Sequence, residues 1–119
     1  KNIRKKINTE TKIFKNKLKK YKKNKKIIIG YGAPARVSTI TNYGKIGPSL
    51  ISYIIDDSPL KQYRYTPGSH INIIPYNNKI IKKIDIVIVF AYEYFKDIKK
   101  KFKNLNVIFY KPIPFKKLR

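Results

Sequence analysis

Apolar positions recur along this chain in two rhythms, and the changes between them mark out its elements. Ile3, Ile7, Phe14, Leu18 and Tyr21 fall at three-, four- and seven-residue spacing, with lysines filling most positions between. That spacing predicts one amphipathic helix ending near Asn24. It fits a helix packed on a core and, as the alternative, a helix lying on a membrane surface. A short continuous apolar run at 27–29 then reads as a strand. Pro34 suits a helix first turn, so a second helix is predicted over 34–43, stopping at Gly44. Residues 50–55 read as the second strand, 60–69 as a loop broken by Pro67-Gly68, and 71–74 as a brief third strand. A short helix is predicted at 77–83. Ile86-Val87-Ile88-Val89-Phe90-Ala91 is the clearest strand of the chain, followed by a helix over 93–102 and a fifth strand at 107–110. Pro112 and Pro114 oppose its simple extension.

Strands and helices thus alternate, which argues for an α/β fold with a mostly parallel sheet of about five strands and helices on both faces. The 119 residues have room for one domain, with residues 1–26 as a leading helix and 27–115 as the core. No repeat or linker divides it. The chain has no cysteine, which excludes disulfide staples and cysteine-ligated zinc, and no metal site is expected. No apolar run approaches the roughly 20 residues of a membrane span, so a cytoplasmic protein without membrane partners is expected.

A net charge of +23 points toward phosphates of any kind, nucleic acid included. Lysine supplies nearly all of it, with Arg4, Arg36, Arg64 and Arg119 the only arginines, whereas base readout leans on the bidentate guanidinium. A lysine-solvated surface is the favoured reading, with a basic nucleic-acid-binding domain kept as an alternative.

In an open parallel sheet, ligands bind beyond the carboxyl ends of the strands. The loop after the first strand, Gly30-Tyr31-Gly32-Ala33-Pro34-Ala35, fits G-x-G-x-x-A between a strand and a helix. Asp56 ends the second strand some 20 residues later, where an acid commonly meets a ribose 2′-hydroxyl in nicotinamide-binding domains. An NAD-binding domain and a merely tight turn both fit. The next loop, 56–70, gathers Asp56, Asp57, Ser58, Lys61, Arg64, Tyr65 and His70, more chemistry than a connection requires. Tyr92 and Tyr94 flank Glu93 after the fourth strand, where stacking on a ligand and helix packing are both open.

The strings GYGAPAR, NYGKIGPSLISYIIDDSPLKQ and RYTPGSHI, in this order and spacing, resemble three consecutive signatures of the C-terminal domain of S-adenosylmethionine-dependent sugar C-methyltransferases. The resemblance spans residues 12–115. It implies a Rossmann-like three-layer domain that helps hold a nucleotide-diphosphate sugar, a keto-sugar in the complete enzymes. S-adenosylmethionine binding and methyl transfer reside elsewhere in those enzymes, so a methyltransferase catalytic domain is expected upstream or in trans. No cofactor is expected on this chain, and no catalytic residue. The resemblance carries a substrate-binding role to Gly30, Tyr31, Gly32, Ala33 and Arg36, and to Asp56, Ser58, Lys61, Gln62, Arg64, Tyr65 and His70. Two positions depart from the family pattern: Tyr63 replaces a glycine expected between Gln62 and Arg64, and Val37 stands where a glycine is frequent.

Each of these residues also has a plainer role open to it. His70 fits a loop-anchoring hydrogen-bond partner better than a general base. Lys61 and Arg64 could be solvated charges or could pair with a diphosphate. Asp56 and Asp57 could simply bond local backbone at the strand end.

Overall fold

The computed structural model describes residues 2–119; Lys1, where the expected leading helix begins, lies outside them. Among the described residues the fold is α/β, with three α-helices and one six-stranded, mostly parallel sheet. The elements run α1 (Asn2–Lys23), β1 (Ile28–Tyr31), α2 (Ala35–Gly44), β2 (Ile54–Ile55), β3 (Ile73–Ile74), β4 (Ile86–Val89), α3 (Phe95–Lys100), β5 (Ile108–Lys111) and β6 (Lys116–Leu118). Turns of 3₁₀ helix at Ile80–Lys83 and Tyr92–Tyr94 precede β4 and α3. The strands lie in the order β3-β2-β1-β4-β5-β6, and only β6 is antiparallel to its neighbour. No described helix is long and apolar enough to cross a membrane.

The two-residue period of β1 and β4 divides the core between the faces of the sheet. Ile28, Ile86, Ile88 and Phe90 point to one face, where Phe14 and Leu18 of α1 and Val37 and Ile40 of α2 pack on them. Phe14 and Leu18 are fully buried, so each contributes roughly 1.5–3 kcal/mol of burial to seating α1. Ile29, Tyr31, Val87 and Val89 point to the other face, against Ile98 of α3 and Phe102. Val37 is buried within α2 on the face that α1 and α2 cover, so the departure from glycine there fills core volume.

Several expected boundaries move for local reasons. The second strand is expected over 50–55, but only Ile54–Ile55 pair as β2. Leu50 and Ile51 turn back, their N–H groups bonding to Gly47 O at 3.0 and 3.1 Å. Both stay buried, so apolar content marked burial there and not pairing. The helix expected to stop at Gly44 includes that residue, and Lys45 takes the left-handed C-cap at φ 52°. The fifth strand is followed by an unanticipated sixth. Lys116–Leu118 has almost no apolar signal of its own and is placed by pairing, Phe109 opposite Leu118 and Lys111 opposite Lys116. Two lysines on an edge strand also blunt edge-to-edge association.

Candidate functional site

The chain runs outward from β1 through β2 to β3, then returns to the other side of β1 as β4. Strand order reverses there, leaving a crevice beyond the carboxyl ends of β1 and β4. A cleft of about 370 Å³ occupies that position. Tyr31, Gly32, Ala33 and Pro34 form one wall, Asp56, Asp57, Ser58 and Lys61 a second, and Ala91, Tyr94 and Ile98 the third.

The glycine turn owes its shape to crowding. Gly30 is still in β1, and a Cβ there would sit 2.8 Å from the Phe90 ring, so this glycine serves packing on the α1 and α2 face. Gly32 has φ +89°, and a Cβ on it would collide with the Cβ of Ala91. Two N–H groups of the turn already have acceptors: Gly32 N–H donates to Ile55 O (2.6 Å) and Ala33 N–H to Asp56 Oδ2 (2.7 Å). In the first turn of α2, Val37 N–H donates to Pro34 O (3.0 Å), and the remaining N–H groups are directed out of the helix end.

Asp56 is the keystone of the cleft. It is only 9 % exposed, and its second oxygen, Oδ1, accepts from Ser58 N–H at 2.8 Å. Gln62 Nε2 donates to Asp56 O (2.8 Å), and Lys61 Nζ reaches back to Ala33 O (2.9 Å). Both carboxylate oxygens of Asp56 therefore hold backbone, tying the β1 turn to the β2 loop. The carboxylate facing the cleft more openly is Asp57. Its Oδ1 accepts from Tyr31 Oη and from Lys101 Nζ, each at 2.8 Å. Burial, and then the neighbouring Asp57, push the Tyr31 phenol far above its ordinary range, so it stays a proton donor. Lys101 also lies over the rings of Tyr31 and Tyr76, at 5.8 and 5.4 Å from their centroids.

Of the residues singled out from sequence, Tyr31, Gly32, Ala33, Asp56, Ser58 and Lys61 are brought together around this cleft, with Gln62 bracing it. The others are placed elsewhere. Gly30 is inside the strand. Arg36 turns to Phe90 O (3.2 Å) and to Glu93, and its guanidinium lies 4.4 Å over the Tyr92 ring. The hydrogen bond from Arg36 holds the Glu93 carboxyl below its usual range. Arg64 lies where the loop pairs with β3, its carbonyl accepting from Ile73 N–H at 2.8 Å. Tyr65 and His70 stack on each other at 4.3 Å, and between them Thr66 and Ser69 bond to one another and, through Ser69 Oγ, to Thr41 of α2. Within the loop 56–70, the part before Tyr63 lines or braces the cleft and the part after it packs on itself and on α2.

Asp57 and Tyr94, open to either role in the sequence, line the cleft, whereas Ile98 in its wall and Lys101 on Asp57 were not selected from sequence. Ile98 and Lys101 share a helical face at i, i+3, a signal that one lysine among so many does not reveal. Among the described residues no cluster of His, Asp or Glu is placed to hold a metal ion. A larger depression, about 1,090 Å³, lies between α3 and β5 and includes none of these residues.

A family model described as the C-methyltransferase C-terminal domain matches residues 1–114 of the chain. No curated protein matches it.

Proposed function

The chain belongs to the C-methyltransferase C-terminal domain family, and from that premise we propose that its cleft recognises a nucleotide-diphosphate keto-sugar. The methyl-transfer chemistry and S-adenosylmethionine are assigned to another unit, upstream or in trans, of a cytoplasmic enzyme. The reading treats the fold as Rossmann-like, supported by the strand order and by the position of the cleft at its reversal.

The observation that carries the proposal is the convergence of Lys61, the α2 N-terminus, Asp57 and Tyr31 on one cleft at the order reversal. Lys61 and the N-terminus of α2 offer positive charge to a diphosphate. Asp57 offers an acceptor to sugar hydroxyls, and the Tyr31 phenol, whose one proton goes to Asp57 Oδ1, holds that carboxylate in place. Asp56 works through the backbone, holding the two walls at the separation the ligand needs. Titration calorimetry with uridine, thymidine and guanosine diphosphate sugars, each against inorganic diphosphate, tests this. At least one sugar nucleotide should bind about 10-fold tighter than diphosphate. Equal or weaker binding of all three defeats the reading.

A further inference from the structure

The two faces of the sheet are covered unequally. One carries α1 with 22 residues and α2 with 10; the other carries α3 with 6 residues beside turns of 3₁₀ helix. Toward β5 the thin layer runs out. There the open groove of about 1,090 Å³ has an apolar floor of Phe95, Leu105 and Val107, half-buried, above Phe102 and Phe109. Its rim carries Lys96, Lys99, Lys100 and Lys103, with Asp97 as the one acid of its lining. Neither ion pair among the described residues involves these four lysines.

We propose that this groove is a docking surface for an acidic amphipathic segment of a partner protein, its apolar side chains on Phe95, Leu105 and Val107 and its carboxylates on the lysine rim. The combination of floor and rim selects this occupant. An apolar floor gains nothing from a purely ionic partner, whereas burying it contributes about 25 cal/mol per Å². A second copy of the chain would set the same patch against itself in a two-fold dimer, lysine rim on lysine rim, on a protein of charge +23. An amphipathic helix laid in a groove and flanked by opposite charges meets neither objection. This surface is separate from the sugar-nucleotide cleft, so either reading can fail without the other.

The test uses the 119-residue chain and two fluorescein-labelled peptides of identical composition, rich in Glu and Leu. One has leucines at i, i+3, i+4 and i+7, and the other is scrambled. The ordered peptide should bind about 10-fold tighter by anisotropy and shift amide resonances of α3, Leu105 and Val107. Lys99→Glu with Lys103→Glu, both exposed, should weaken it by about 10-fold, whereas Lys19→Glu with Lys22→Glu on α1 should change it less than about 2-fold. Equal binding of both peptides, or shifts centred on α1, would show attraction by charge alone and overturn the proposal. So would binding of vesicles of anionic lipid without binding of the peptide. A dimer in sedimentation that Leu105→Ser disperses would assign the groove to a second copy and overturn it equally.

Discussion

The loop between β2 and β3 has two polar halves of opposite architecture. In the first, Asp56, Asp57, Ser58, Lys61 and Gln62 turn inward and meet the glycine turn of β1. In the second, Tyr65 stacks on His70, while Thr66 and Ser69 bond to one another, to α2 and to the segment before β3, with Thr66 Oγ1 accepting from Ile71 N–H at 2.8 Å. Asn42 Nδ2 donates to Pro67 O (3.0 Å) and holds the second half down. A dense run of reactive side chains is therefore divided between two surroundings, and only its first half lines the cleft at the order reversal.

The comparison can be broken first at its hinge with the β1 turn. Gly32→Val adds a side chain to a left-handed residue and against Ala91, and should cost about 4 kcal/mol of unfolding free energy in a urea titration. Asp56→Ala strands two part-buried backbone N–H groups and should cost about 2 kcal/mol. If it costs less than about 0.5 kcal/mol, typical of an exposed side chain, the two walls are not held by this carboxylate. Lys61→Gln, by contrast, should leave stability within about 0.5 kcal/mol and weaken sugar-nucleotide binding about 10-fold.

Changes in the second half should show the reverse pattern. Tyr65→Ala removes the stack on His70 and should cost about 1 kcal/mol, with ligand affinity unchanged in the same calorimetry that detects Lys61→Gln. The smallest effect sits between the halves. Tyr63 is 74 % exposed and holds φ 65°, the left-handed region that costs a side chain about 1–2 kcal/mol. Tyr63→Gly relieves that cost against up to about 1 kcal/mol of added chain entropy, so a net gain of about 0.5 kcal/mol is expected. A loss would mean that the tyrosine ring makes a contact of greater worth than its strained backbone.

Much of the sheet was legible because its centre is written in β-branched residues. The run Ile86 to Val89 reads as a strand without context, and the alternation around it implied the parallel order. β6 was not legible, since Lys116 and Lys117 are strand residues only through β5. Within the site, Asp56 was visible as special at a strand end, but that both its carboxylate oxygens accept from backbone N–H groups is something spacing alone does not tell. Arg36 sat in the right motif yet faces the other side of α2, toward Glu93 and Tyr92. Tyr63 was the reverse case. A glycine was expected there, and the tyrosine in its place holds φ 65°, a left-handed conformation that suits glycine.

The central claim is that ligand recognition belongs to the inner half of the loop and the β1 turn. Amide chemical shifts followed while the best-binding nucleoside-diphosphate sugar is titrated test it most directly. The largest changes should fall on Tyr31, Gly32, Ala33, Asp57, Ser58, Lys61 and Tyr94. Changes concentrated on Tyr65, Ser69 and His70, or spread along the lysines of α1, would contradict it.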